Sequence, residues 1–357
     1  MELKKETTAI ICLSPYAGGM EIDSIKLAKK LSSFTPIVLI ARSGFFIDSK
    51  KKEYIGFNNI NLELIDFKSS FSFNIIFQAR RIIKEYGIKN IVFFGASELK
   101  SLYFSFLGLD INLIVRHGTT KSRPKKDWFH KMIYSDVNYH VSICNHLLKN
   151  VREIIPFGRN TQEKLIYSSF QTITPLCRKH NKLNLLHVGR IAGAKGQVDA
   201  IKACEILVEN NIAFELNIVG GFDESYKDEF NQFYENCDYK EKINLVGFTN
   251  DTLFYIQKAD IFIFPSYGEG LSNSFLEAMS NNIICIAYSN TSFPELKDLG
   301  LYFRITKDRD IEDLKNNLLN IAKNLVTEKR NSSINYNLIK KLFSEKLEVN
   351  KYKEILI

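Results

Sequence analysis

No uninterrupted apolar run in this sequence approaches the roughly 18 residues a membrane-spanning helix requires. The opening MELKKETTAIICLSP carries too short an apolar stretch for a secretory signal. An integral membrane protein is excluded on this reading, and export is not expected. Cysteine is scarce and scattered. Cys12, Cys144, Cys177, Cys204, Cys237 and Cys285 form no C-x-x-C pair and have no histidine at metal-ligand spacing. They are expected to be reduced, mostly core thiols in a cytosolic protein. Proline is rare, at 7 residues, and there is no Pro- or Ser-rich tether, no short-period repeat and no low-complexity tract. The chain is therefore expected to fold throughout. Two nucleotide-binding signatures are missing as well: Lys195 precedes its glycine, which breaks the Walker pattern, and no G-x-G-x-x-G follows the first strand of either half.

What is present is ample apolar material: 45% of 357 residues, enough for two domains with separate cores. The net charge of +8 is unevenly spread. Residues 1–170 hold 25 Lys and Arg against 15 Asp and Glu, a net of +10, whereas residues 171–357 hold 23 against 25, a net of −2. A positive field over the first half would concentrate an acidic substrate, an anionic membrane surface or nucleic acid, or it would serve solubility alone.

Short runs rich in Ile, Val and Phe alternate with segments of helical period, the pattern of β-α units around a parallel sheet. Strands are expected at 9–13, 37–40, 91–94 and 112–115, with helices at 22–31, 73–85 and 126–135. After the polar stretch 171–182 a second series follows, with strands at 185–188, 215–219, 243–246, 261–264 and 283–287 and helices at 197–209 and 274–280. The runs IFIF and IICIA are continuous rather than alternating, as buried parallel strands are. The fold class is α/β, with two doubly wound domains and a cleft between them expected as the ligand site.

The strongest local signal is FPSYGEGLSNSFLEAMSNN, residues 264–282, which leaves a strand, turns through Gly268 and Gly270 and enters a helix. Ser272, Asn273 and Ser274 can cap that helix, whose free N–H groups and dipole attract phosphate. Glu269 and Glu277 fall one before the helix and one about a turn inside it. The second signal is LLHVGRIAGAKGQVDAIKA, residues 185–203, where Gly189, Gly193 and Gly196 free the loop. Arg190 and Lys195 then project at the carboxyl end of the second sheet, placed to neutralise a diphosphate without a metal.

These blocks resemble glycosyltransferase family 4, retaining nucleotide-sugar-dependent enzymes of the GT-B fold. The likeness rests on E-G-L-S-N-S-F-L-E-A-M, on V-G-R-I with A-K-G, on V-G-F-T at 246–249 and on G-G-M-E at 18–21. F-S-E-K-L-E-V-N-K-Y, residues 343–352, is similar to the family's last helix, which crosses back onto the first domain. The resemblance implies two Rossmann-like domains, with an acceptor-side domain at 1–170, a nucleotide-sugar domain at 171–335 and a returning helix at 336–357. It implies that Arg190 and Lys195 grip the donor diphosphate, that Glu277 holds the ribose hydroxyls and that Glu269 touches the donor sugar. The backbone of Gly270, Leu271, Ser272 and Asn273 would approach sugar and phosphate, and Gly247, Phe248 and Thr249 would border the base. Gly18 and Gly19 would sit directly after the first strand, where a side chain would collide with the diphosphate.

His117 follows strand 112–115 at the carboxyl edge of the first sheet, where the family commonly has a histidine near the transferred sugar. His130, His140 and His146 are expected in packing or acceptor-loop roles, and His187 within a buried strand. Beyond His117 lie Lys121, Arg123, Lys125 and Lys126 beside the single tryptophan, Trp128. This group could bind acceptor phosphates, touch an anionic membrane, or be a solvated loop. Asp308 and Asp310 spell the D-x-D that other glycosyltransferases use for a metal, but T-K-D-R-D-I-E-D-L reads as a helix N-terminus with acids in its first turn. No metal and no other cofactor is expected.

The implied activity is a cytoplasmic, retaining, metal-independent hexosyl transfer from a nucleoside diphosphate sugar, UDP-linked by preference, to a saccharide or lipid-linked acceptor. The stretch K-D-W-F-H with N-V-R-E-I-I-P resembles bacterial enzymes of lipopolysaccharide core and surface polysaccharide synthesis. Two rivals stand beside it: a nucleotide-sugar 2-epimerase of the same architecture, and a basic nucleic-acid-binding protein. The latter lacks a recognisable module and the interleaved aromatic and basic residues of a stacking platform.

Overall fold

The computed structural model describes residues 6–356 apart from 17, 54–58, 96, 171 and 173–181. Cys177 and most of the polar stretch 171–182 lie outside the described residues. The chain divides into two units, residues 1–169 with 345–357, and residues 170–344.

The first unit holds a sheet of seven parallel strands: β1 (Thr7–Cys12), β2 (Ile37–Arg42), β3 (Ile60–Ile65), β4 (Ile88–Phe94), β5 (Asn112–His117), β6 (Tyr139–Ser142) and β7 (Gln162–Leu165). Their order is β3-β2-β1-β4-β5-β6-β7. Successive residues of β1 enter different cores: Ala9 and Ile11 pack on one face with Ile40, Ile91 and Phe93, while Ile10 and Cys12 pack on the other with Leu39, Val92 and Phe94. Burial on both faces is why the strand reads as an unbroken apolar run.

The terminal helix Glu345–Lys353 belongs to this unit. Glu348 accepts from Lys30 Nζ at 2.7 Å and from the Ser169 amide at 3.0 Å, and Asn112 Nδ2 donates to the Ile355 carbonyl at 2.6 Å. Residues 336–344, expected to travel with that helix, lie instead in the second unit, mostly within the helix Ile334–Leu342.

The second unit holds six parallel strands: β8 (Leu183–Val188), β9 (Phe214–Val219), β10 (Ile243–Gly247), β11 (Ile261–Phe264), β12 (Ile284–Tyr288) and β13 (Arg304–Thr306), in the order β10-β9-β8-β11-β12-β13. In each sheet the order reverses beside its first strand, so β1 lies between β2 and β4, and β8 between β9 and β11. At such a reversal the loops leaving neighbouring strands diverge to opposite faces and open a crevice at the carboxyl ends.

Two helices differ from expectation. The segment 197–209 divides into Gln197–Ala203 and Glu205–Glu209, because the backbone tightens at Cys204, whose amide bonds the Ile201 carbonyl and whose carbonyl accepts from Leu207. The segment 126–135 becomes helical only from Trp128 to Tyr134. Asp127 is its N-cap, accepting from the His130 amide, and Lys126 precedes the cap. No described helix is long and apolar enough to cross a membrane.

Candidate active site

In the second unit the loops after β8 and β11 meet at the reversal. The loop after β8 runs through the 3₁₀ turn Gly193–Lys195 to Gly196, whose φ of 74° is left-handed. A Cβ there would fall 1.9 Å from the Pro265 carbonyl oxygen, so glycine alone permits this approach of the two loops. The approach brings together residues 74 apart in sequence: Lys195 Nζ lies 2.6 Å from Glu269 Oε1. The same carboxylate oxygen accepts from Ser266 Oγ at 2.9 Å, and the Glu269 amide donates to Thr291 Oγ1 at 3.0 Å. The pair is mostly shielded, at 29% and 12% side-chain exposure.

Arg190 is held differently. Its guanidinium is mostly exposed, with Nη1 3.5 Å from Asp223 Oδ2. Hydrogen bonds from Ser225, reinforced by Arg190, hold the Asp223 carboxyl below its ordinary value. Gln197 Nε2 donates to the Arg190 carbonyl at 2.9 Å. His187 Nε2 lies 2.9 Å from the Lys195 carbonyl, an oxygen that only accepts, so this nitrogen carries the proton. Burial pushes the His187 imidazole down to about 4, so it is neutral at pH 7.

The helix Asn273–Ser280 begins at the same edge, capped by Ser272 Oγ accepting from the Phe275 amide, and Ser274 Oγ donates to the Val188 carbonyl at the end of β8. Gly270, Leu271, Ser272 and Asn273 thus lie on the approach to a helix N-terminus beside Glu269, and Glu277 lies on the second turn. Gly247 ends β10 at a φ of 78°, and the Phe248 ring after it is 72% exposed. The Phe248 Cβ would lie 3.7 Å from a Cβ at Gly221, so the loops after β9 and β10 adjoin. Thr249 Oγ1 is spent on the Asp251 amide.

The sequence pairs neither Lys195 with Glu269 nor Arg190 with Asp223, and it does not single out Ser266, Thr291, Gln197 or His187 as their supports. Asp308 and Asp310 have other work: Asp310 caps the helix Ile311–Lys323, and Asp308 Oδ1 accepts from Asn290 Nδ2 at 2.5 Å. Among the described residues no three His, Cys, Asp or Glu side chains group to hold a metal.

In the first unit, Gly18 does not directly follow β1, which ends at Cys12. It is the extended N-cap of the helix Gly19–Ser32, and a Cβ on it would come 3.1 Å from Glu21 Oε2, whereas a Cβ on Gly19 would meet nothing within 4 Å. Crowding by a buried carboxylate is thus the observed constraint at Gly18. His117 is the last residue of β5 and is buried, its Nε2 2.9 Å from His140 Nδ1. Burial, then the neighbouring His140, Lys121 and Lys125, keep it well below the ordinary histidine value. At pH 7 it is a neutral hydrogen-bonding group rather than a cation. Its other ring nitrogen, Nδ1, is buried without a protein partner.

The basic loop separates into two kinds of residue. Arg123, Lys126 and Trp128 are exposed, and Lys121 and Lys125 are half-buried. Burial, with Lys125 adding to it, pushes the Lys121 ammonium down to about 8. Lys125 lines a cavity of about 140 Å³ with Lys100, Phe129, His130 and Tyr134. Lys100 is a member of this cluster that loop spacing does not disclose, because it comes from the helix after β4.

The model of the family described as Glycosyl transferases group 1 matches residues 174–338. The chain is 25% identical over 342 residues to the capsular polysaccharide biosynthesis glycosyltransferase CapH of Staphylococcus aureus, covering 89% of this chain and 90% of that one. It is 28% identical over 109 residues, 30% of this chain and 28% of the other, to an Escherichia coli UDP-Gal:alpha-D-GlcNAc-diphosphoundecaprenol alpha-1,3-galactosyltransferase. The structure of Anabaena HepE in complex with UDP-glucose superposes with a TM-score of 0.82 at 15% identity, covering 98% of this chain and 99% of that one, a likeness of fold. With two parallel sheets of the GT-B kind and a match to the family's model over residues 174–338 of its second unit, the chain is similar to the glycosyl transferases of group 1.

Proposed function

We propose that this chain is a retaining, metal-independent hexosyltransferase. It would move a sugar from a UDP-linked donor to a saccharide or lipid-linked acceptor in bacterial lipopolysaccharide or surface polysaccharide synthesis, working in the cytoplasm. The observation that carries the reading is the Lys195–Glu269 pair at the sheet reversal, on the loop that also carries Arg190 and just before the helix start at Asn273. As the bond from the sugar's anomeric carbon to the diphosphate breaks, negative charge grows on the leaving oxygen. Arg190, Lys195 and the helix N–H groups would receive it, a role a divalent metal plays elsewhere.

On this reading the acceptor oxygen attacks the anomeric carbon from the side the diphosphate leaves, and the departing phosphate takes the hydroxyl proton. Glu269, already accepting from Lys195 and Ser266, acts as a holder of Lys195 and of the sugar hydroxyls and forms no bond to carbon. Neutral His117 offers a hydrogen bond through Nδ1 and no charge. Phe248 presents a flat face to the base. A UDP-linked donor accords with the UDP-glucose complex of HepE, and a lipid-linked acceptor with the E. coli diphosphoundecaprenol relative. Lys100, Lys121 and Lys125 are suited to an acidic acceptor.

The test is a panel of nucleotide sugars in EDTA, each scored for thermal stabilisation and then for transfer. Stabilisation by one UDP-sugar, with turnover that requires an acceptor, is expected. Turnover of the donor to its epimer without acceptor, or activity lost in EDTA and restored by Mn²⁺, would refute the reading.

A further inference from the structure

An aromatic face in the first unit has no part in the chemistry above. On the helix Phe73–Glu85, Phe73 and Phe77 stack with centroids 6.4 Å apart, and both rings are open to solvent, at 70% and 68% exposure. The neighbouring helix Leu99–Phe106 lies alongside. Ser101 Oγ accepts from the Ser72 amide at one end, and Arg80 Nη1 donates to the Ser105 and Leu107 carbonyls at the other. Phe104, between those ties, meets exposed Phe71 edge to face at 6.1 Å, and Leu107 is exposed beyond it. Phe71, Phe73, Phe77 and Leu107 together leave roughly 400 Å² of apolar surface in water, within the range of a monomer's largest patch, which is often a functional face.

Cations border this patch on both sides. Lys68 precedes it and Arg81 and Lys84 follow it, all exposed. Lys100 stands one helical turn before Phe104 and opens into the 140 Å³ cavity shared with Lys125, beyond which Trp128 is 76% exposed. Neither Lys100 nor Lys125 has a carboxylate at ion-pair distance among the described residues. Burial and the nearness of Lys100 both push the Lys125 ammonium down, and Glu98 opposes them only in part. Two like charges sharing a small cavity are relieved by an anion entering it.

We infer that this face docks on an anionic lipid surface, with the aromatic rings seated among the headgroups and a lipid phosphate between Lys100 and Lys125. Aromatic rings prefer the headgroup layer, and scattered lysines and arginines add attraction to anionic lipid, each weakly. Lys68, Arg81, Lys84, Lys100 and Lys125 outnumber the exposed Asp66 and Glu85 on this face, a balance that favours an anionic surface. The inference deepens the lipid-linked acceptor reading, but vesicle binding requires neither donor nor acceptor, so either can fail without the other.

The experiment is co-sedimentation of the full chain with vesicles of phosphatidylglycerol and phosphatidylcholine, and with vesicles of phosphatidylcholine alone. Wild type should partition at least tenfold more strongly onto the anionic vesicles, less so in 0.5 M NaCl. Phe73→Ser with Phe77→Ser should lose at least tenfold. Lys100→Gln should lose severalfold on anionic vesicles only, and Val326→Ser, an exposed apolar site in the second unit, should lose nothing. The altered residues are exposed or half-buried, so unchanged thermal unfolding confirms that each variant is folded. Glycerol phosphate added at millimolar concentration should release little protein; full release would mean a small-phosphate site rather than a lipid surface and would overturn the inference. So would equal binding to both vesicle types, wild-type binding by the double phenylalanine variant, or a dimer in sedimentation velocity that this variant abolishes.

Discussion

Replacing Lys195 with alanine leaves Glu269, 12% exposed, with the Ser266 hydroxyl as its remaining side-chain donor. Breaking a dry ion pair from one side costs about 3–5 kcal/mol. Water reaches Lys195, which is 29% exposed, and lowers the expected loss to about 2 kcal/mol in the unfolding of the second unit. Glu269→Gln keeps an oxygen for Ser266 and should cost about 1 kcal/mol. The double variant, with no orphaned carboxylate, should be more stable than Lys195→Ala alone, a coupling of about 1–2 kcal/mol. The functional effects separate further. Lys195→Ala should slow transfer by about 100-fold, roughly 3 kcal/mol of lost charge stabilisation. Glu269→Gln releases the ammonium from its counter-ion, so UDP should bind severalfold more tightly while transfer slows. Urea unfolding reads the stabilities, UDP titration the affinity and a transfer assay the rates. Additive stabilities, or UDP binding weakened by Glu269→Gln, would refute the pairing as the organiser of the site.

Acid should destabilise the protein earlier than carboxylate titration alone would. His117, His140 and His187 are all buried with lowered values, the latter two to about 4, so the unfolded chain binds protons below its ordinary 6.5 that the folded chain refuses. Stability should therefore fall as pH drops from about 6.5 toward 4, by about 2 kcal/mol at pH 5 for each of His140 and His187, with His117 adding in the same direction; an unchanged urea midpoint between pH 7 and pH 5 would contradict this. Neutralising Lys121, Arg123, Lys125 and Lys126 together should raise the acceptor KM and leave UDP affinity alone, with a smaller effect at high salt. In wild type that KM should climb above about pH 8 as Lys121 loses its proton; loss of UDP binding in the quadruple variant would move the loop to the donor. Gly196→Ala should abolish transfer and cost over about 2 kcal/mol, because its Cβ has only the Pro265 carbonyl to displace; a stable, active variant would contradict the loop geometry.

The strands most legible in the sequence are those buried on both faces, such as β1, β4, β11 and β12, whose apolar runs leave no other reading. The strands β3, β6, β7 and β13 escaped: β3, β7 and β13 are edge strands that stay partly exposed and carry polar residues, QEKL in β7 being the extreme case, and penultimate β6 is only four residues, YHVS. In the site, Arg190, Lys195 and Glu269 were readable as types beside turn-forming glycines. Their partners were not. Asp223, Ser266 and Thr291 arrive on loops after β9, β11 and β12, and only the strand order makes those loops neighbours. His187 looked like core because its ring is buried, yet its proton is aimed at the backbone of Lys195. The helix start at Trp128, capped by Asp127, rather than at Lys126 depended on a side chain turning back to an amide, which spacing alone does not decide.

The central claim is that Arg190 and Lys195 form a diphosphate site without a metal. Calorimetric titration of UDP in EDTA tests it most directly, on wild type and on Arg190→Ala and Lys195→Ala. The account predicts saturable binding by wild type and at least tenfold weaker binding by each variant. No binding of UDP by wild type until Mg²⁺ or Mn²⁺ is added, or equal affinity in all three proteins, would contradict it.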